Sequence, residues 1–168
     1  MPKTIAEERI KLVALVTKPA DVLAPTIIEL TAGVDLSLRV LFSDFKLSAT
    51  GSETVNEPAL GEGGNSPALG KSNFEGSLTV FRFLDEAGKA IELEDVAWDI
   101  FKEKASEVHL YKRVGPMFSG AFTAAEPLEY FHAVSDNPQD PSDLSGYIKK
   151  VIPLLVQGDS NVNAVVGA

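Results

Sequence analysis

The residues able to do chemistry in this chain are few and scattered. There is no cysteine, which removes disulfides, thiolate metal sites and thiol nucleophiles and leaves the redox compartment open. The two histidines, His109 and His132, each fall in a strand-like stretch with no second ligand at a metal-binding spacing. Either could meet a carboxylate in the folded chain, but a lone strand histidine reads as structural. Glu29 closes a Thr26-Ile27-Ile28-Glu29 run, the pattern of a capping box, in which the acid serves a helix end and not a reaction. The acids of Asp136–Asp143 are hard oxygen ligands, yet the Asp-x-Asp-x-Asp-Gly order of a calcium loop is missing, and Pro138 and Pro141 fit a turn. No phosphate loop, dinucleotide fingerprint or Gly-x-Ser-x-Gly elbow occurs. No spacing singles out a pair of acids. We therefore expect no catalytic residue, metal or cofactor, and a structural or binding role in place of an enzymatic one.

The elements that would position any site alternate between strand and turn. With 168 residues, 45% hydrophobic and 23% charged, one domain with a real core is expected. Arg9–Thr17 reads as a first strand whose consecutive apolar residues (12–16) require burial on both faces. A short helix follows, capped by Thr26 and Glu29 and stopped by Gly33. Asp35–Leu47 and Phe74–Leu84 read as the next strands, the second with Glu75, Ser77 and Thr79 on one polar face, and the two pair in a sheet wetted on one side. Leu93–Ala105 is the one long helix, with Leu93, Val96, Ala97, Ile100 and Phe101 as its apolar stripe and Trp98 at the stripe's border. Glu107–Val114, Glu126–Ser135, Gly146–Gln157 and Val162–Val166 return to strand, with Pro153 pointing to an edge or a bulge. The expected fold is mainly β: a sandwich or partly closed barrel of about seven strands, with one flanking α-helix, a short second helix and a long inter-strand loop.

That loop, Ser48–Asn73, holds five glycines and two prolines and repeats Pro-Ala-Leu-Gly at 58–61 and 67–70. Turn-forming residues on this scale cannot build a core element, and loops this long are functional or disordered. Its acids Glu53, Glu57 and Glu62, its base Lys71 and its apolar knobs Leu60 and Leu69 are the candidates for contact with a partner. The net charge of −9 argues against a protein that grips nucleic acid. No apolar run approaches the length of a membrane span, and the run after Lys3, Arg9 and Lys11 is too short for a secretory core. An unprocessed intracellular product is expected.

Residues 19–35, Pro-Ala-Asp-Val-Leu-Ala-Pro-Thr-Ile-Ile-Glu-Leu-Thr-Ala-Gly-Val-Asp, resemble the segment by which major tail tube proteins of long-tailed, non-contractile bacteriophages join their first strand, through a short helix and a glycine, to the second. The long Gly/Ser/Glu loop, the helix at Glu94–Ala105, the strand end Leu110-Tyr111-Lys112-Arg113-Val114-Gly115 and the closing turn and strand within 158–168 follow in the family's order. The Ser135–Ser145 connection and the repeated Pro-Ala-Leu-Gly depart from it.

The resemblance implies a single tail-tube domain over 1–168 that assembles into stacked, hexameric rings in the virion tail. The 48–73 loop and the termini would reach into neighbouring rings. Its partners would be itself, the tape-measure protein and the tail-end proteins, with DNA passing through the lumen without specific binding, and no membrane. Ser37, Arg39, Glu75, Ser77 and Thr79 are the lumen-facing candidates. Assembly would take place in the bacterial cytoplasm. The alternative is a monomeric β-sandwich binding module that uses the same loop for recognition; it lacks the exposed aromatic cluster of a sugar site.

Overall fold

The computed structural model describes residues 3–168. Strand β1 (Ile10–Leu15) buries Leu12, Val13, Ala14 and Leu15, as its apolar run demands. Helix α1 (Ile27–Ala32) and strand β2 (Val34–Asp35) follow, then a 3₁₀ turn at Phe42–Asp44 and β3 (Lys46–Thr50). The remaining elements are β4 (Thr54–Val55), β5 (Ala68–Leu69), β6 (Asn73–Phe81), α2 (Val96–Phe101), β7 (Glu107–Val114), β8 (Pro127–Ser135), β9 (Lys149–Val156) and β10 (Asn161–Val165).

Eight strands form one antiparallel sheet, seven in the order β2-β1-β7-β8-β9-β6-β3 and β10 beside β8, while β4 and β5 form a separate two-stranded sheet. The other edge of β8 is shared: β9 takes its carboxyl-terminal part (Ala133↔Val156) and β10 its amino-terminal part (Leu128↔Ala164). The sheet curls until Lys112 of β7 donates to the Leu47 carbonyl of β3 (2.8 Å). It stops short of a closed barrel, and the fold is mainly β and sandwich-like. Two cores result. Leu12, Leu36, Leu78, Val108, Leu110, Phe131 and Ile152 fill the first, with Ala97 and Phe101 of α2. Val13, Leu30, Tyr111, Leu128, Tyr130 and Val166 fill the second, beneath α1.

Helix α1 owes its start to its cap. The Glu29 N–H donates to Thr26 Oγ1 (3.2 Å), and Glu29 Oε2 accepts the Thr26 N–H (2.8 Å). The other carboxylate oxygen accepts the Ala20 N–H (3.0 Å). These backbone bonds, Ala20 first, hold Glu29 below the usual carboxylate range. The contribution is therefore present above the unfolded pKa and lost as pH falls through the folded one. Thr26→Ala is expected to cost about 1 kcal/mol in a urea melt at neutral pH. Gly33 serves differently from a left-handed stop. Its φ is an ordinary −70°, but a Cβ there would lie 2.6 Å from Val13 Cγ1 and 2.9 Å from Leu15 Cδ2, so the glycine lets the helix end lie against β1.

Several expectations need correction. The strand expected over Asp35–Leu47 is broken. Asp35 Oδ1 accepts the Ser37 N–H (2.9 Å) and turns the chain at 36–39, after which Leu41 and Phe81 exchange backbone bonds with Thr79 and Arg39. Beyond that single Val40–Val80 bridge, continuous pairing with β6 is confined to Lys46–Thr50. The long helix shrinks to Val96–Phe101 because the Asp95 carboxylate is drawn inside: Arg82 grips it (2.8 Å and 3.0 Å) and the Phe83 N–H donates to it (3.0 Å). At the far end Ala105 turns with φ +66° and donates to the Ser135 carbonyl. Ala97 and Phe101 are fully buried and Ile100 packs against the core, but Leu93 lies outside the helix and is 83% exposed. Pro153 lies on an interior strand, opposite Ser77, and not at an edge, but the bulge its sequence also allowed is there: four steps from Ser135 to Gln139 face three from Leu154 to Val151. Its carbonyl accepts the Asp136 N–H, so its nitrogen faces the gap where β8 pairing ends at Ser135 and resumes at Gln139. There a missing donor costs little.

Candidate functional site

The expected long loop carries structure of its own. Within 48–73, Thr54 pairs with Leu69 and Val55 with Ala68. Backbone bonds tie Glu53 to Lys71 (2.8 Å) and Gly70 to Glu53 (2.7 Å), and the Asn73 side chain donates to the Gly51 carbonyl (3.1 Å). A turn at the tip closes on Glu62, whose carboxylate accepts the Ala59 N–H (2.9 Å). Every residue from 53 to 73 is exposed. Leu60 is fully solvated and Leu69 is 82% exposed, while Glu53, Glu57, Glu62 and Lys71 enter no ion pair among the described residues. An isolated two-stranded hairpin is marginally stable in water. This arm is therefore anchored at its base, adds nothing to either core, and holds its apolar knobs in solvent.

At the base of the arm, Glu75 and Ser77 share a face of β6 beside Lys46, whose ammonium lies 2.7 Å from Glu75. Thr79 is no part of an accessible face. It is 1% exposed, and its hydroxyl points to Asp44 (3.4 Å). Ser37 and Arg39 are not brought to this face either. Ser37 Oγ accepts the Leu12 N–H (3.1 Å). Arg39 is spent on the Asp35 and Glu94 carbonyls (3.0 Å and 3.1 Å), in the crossover between β2 and β3. A shallow apolar groove lies near this crossover, lined by Leu38, Phe81, Phe83, Leu84, Ile91 and Tyr147.

The fold also gathers what the sequence left apart. Pairing of β7 with β8 sets His109 directly opposite His132, with the rings stacked at 5.0 Å. Glu107, two residues before His109 and so on the same face, reaches His132 Nε2 at 2.7 Å. On the far side of that ring, Nδ1 lies 2.8 Å from Asp159 in the turn between β9 and β10. His109 Nδ1 lies 2.8 Å from the Tyr130 hydroxyl. Burial, and then the neighbouring His132, hold His109 below the ordinary histidine range, and burial pushes the Tyr130 phenol up. The Glu107-x-His109 spacing was readable. The partner across the sheet was not, because the β7–β8 register lies beyond a long irregular connection. The acids of 136–143 converge on nothing: Asp143 accepts the Ser145 N–H, Asp140 pairs with Lys150, and Asp136 lies near Lys104.

Comparison with known proteins gives this arrangement its setting. The family model for phage tail tube proteins matches residues 1–168. The chain belongs to the phage tail tube protein family. A chain in the cryo-EM structure of the anti-feeding prophage baseplate, 6-fold symmetrised, has a similar fold, with a TM-score of 0.52 and 15% identity over 99% of this chain and 98% of that one. No curated protein matches the sequence. A tail tube protein is a structural component of the virion tail, and membership implies self-assembly and partners within the tail. In that setting an exposed arm with bare leucines on a well-packed sheet is a surface that calls for a neighbour.

Proposed function

We propose that this tail tube protein assembles into stacked hexameric rings forming the hollow tube of a long, non-contractile phage tail, and that the 48–73 arm bridges one ring to the next. The arm carries this reading: a hairpin fully exposed from 53 to 73, whose Leu60 and Leu69 have no contact among the described residues that removes them from water. Burying both on a neighbour would contribute roughly 1.5–3 kcal/mol each, which offsets the ordering of the arm. The outer edge of β3 offers further support, since Ser48, Ala49 and Thr50 are exposed and pair only with β6. Joining such edges around a ring removes an aggregation liability.

Glu75 and Ser77, at the base of the arm, are the remaining lumen candidates, and Lys46 makes that wall only weakly negative. With a chain charge of −9, the lumen would let DNA slide without gripping it. The tape-measure protein would fill it beforehand, and the tail-end proteins would close it. Assembly would occur in the bacterial cytoplasm. Size-exclusion chromatography and negative-stain microscopy of the purified chain test the proposal. Rings or tubes of uniform width are expected. A monomer at every concentration would overturn it and favour a binding module built on the same arm.

A further inference from the structure

The histidine pair lies on the sheet, away from the arm, and tube formation does not call on it. We propose that Glu107, His109 and His132 form a binding site for a divalent transition metal of the zinc class. Their ligand-type atoms all lie within 4.8 Å of one another, the only such group of three among the described residues. Strand geometry produces the set. Residues two apart on β7 point the same way, and cross-strand pairing places the third ligand opposite the second.

The outer supports of such a site are already in place. A metal-binding imidazole is commonly held through its other nitrogen by a carboxylate or another polar group, which fixes the ring and its tautomer. Here Asp159 holds His132 Nδ1 and the Tyr130 hydroxyl holds His109 Nδ1. Both rings are anchored on the same nitrogen, leaving both Nε2 atoms for one ion. Asp159 is itself positioned, because the next residue, Ser160, accepts the His132 N–H on its hydroxyl (3.0 Å) and donates to the Gln157 carbonyl (2.7 Å). An imidazole that meets carboxylates through both nitrogens is satisfied by two protons, or by one proton and one metal ion.

Two imidazoles and one carboxylate suit zinc, cobalt or nickel better than calcium or magnesium. On binding, the metal would replace the proton between His132 Nε2 and Glu107, which leaves to solvent. The 2.7 Å contact would become two bonds of about 2.0–2.2 Å. Glu107, with its side chain 61% exposed, can swing outward to make room, and a fourth position would remain for water.

The test uses untagged full-length protein stripped with a chelator, then titrated with zinc chloride by calorimetry and with cobalt chloride by visible absorption. One metal per chain is expected, with the intense visible bands of low-coordinate cobalt. Glu107→Gln and His132→Gln should abolish the bands, and Asp159→Asn should weaken affinity about 10–100-fold. Glu107 and Asp159 are both half-exposed or more, so their variants should keep the wild-type circular dichroism and melt. Absence of cobalt bands at millimolar metal, or equal binding by wild type and Glu107→Gln, would overturn the proposal and leave a proton-held Glu107–His132–Asp159 bridge.

Discussion

Arg113→Met is expected to destabilise the fold by about 3–5 kcal/mol, the cost of removing one partner from a buried, hydrogen-bonded ion pair. The arginine side chain is 1% exposed at the end of β7. Its Nη1 donates to the Ala121 carbonyl (2.9 Å) and to Glu126 (3.3 Å). Its Nη2 donates to the carbonyls of Met117 and Gly120 (2.8 Å and 3.1 Å), and the guanidinium lies 5.0 Å from the Phe122 ring. One side chain thus gathers the whole connection from β7 to β8. Methionine keeps the apolar stem but leaves the Ala121 carbonyl without a donor among the described residues, a loss of about 1–3 kcal/mol where such a group stays buried. It also takes one donor from the Met117 and Gly120 carbonyls and from Glu126, which keep the Gly120 N–H, the Lys11 ammonium and the Thr123 N–H. Arg113→Lys should recover part of the loss, since a single ammonium cannot span the fork. Urea melts of both variants check this. A loss below about 1 kcal/mol for methionine would show that the connection satisfies itself with water.

The strand end carrying Arg113 shows what the sequence discloses. The limits of β7 were legible because a strand-like run stops at Gly115-Pro116, and α1 because Thr26 and Glu29 form a reciprocal cap. Both are local signals, decided within a few residues. The second strand misled because the apolar alternation of Leu36, Leu38, Val40 and Phe42 is what a strand shows. Yet the Asp35 carboxylate turns the chain locally, and Leu36 alone of these is fully buried. Helix α2 misled for a long-range reason. Asp95 reads as a first-turn acid until Arg82, from the far side of an intervening turn, claims it. The histidine cluster failed on the same ground. Glu107 and His109 share a face by spacing alone, but His132 and Asp159 join them only through sheet pairings that no local pattern specifies. The arm was the easiest feature to find and its internal pairing the hardest, because two-residue strands carry too little alternation to register.

The arm also carries the assembly prediction with the largest expected effect. Replacing residues 52–72 by a short glycine-rich turn between β3 and β6 should leave a folded chain that makes no tubes. Folding should survive because every residue removed except Ser52 is exposed and none belongs to either core. Loop closure should favour the shorter chain slightly, by about 0.6 kcal/mol for each halving of the loop. The main sheet keeps its β3–β6 register from Lys46↔Ser77 to Thr50↔Asn73, so the melt should stay close to wild type. Assembly is different. Without the arm, a ring would keep its sheet edges but lose the segment proposed to bridge to the next ring. The expected products are monomers or single rings in negative stain. The double change Leu60→Ser with Leu69→Ser separates contact from length, since it keeps the hairpin and removes its apolar knobs. It should shorten tubes or raise the concentration at which they form, while hydrogen exchange in residues 53–73 stays at the free-chain level. Full-length tubes from the arm-less chain would overturn the bridging role and shift stacking to the apolar groove around Phe81, Phe83 and Tyr147.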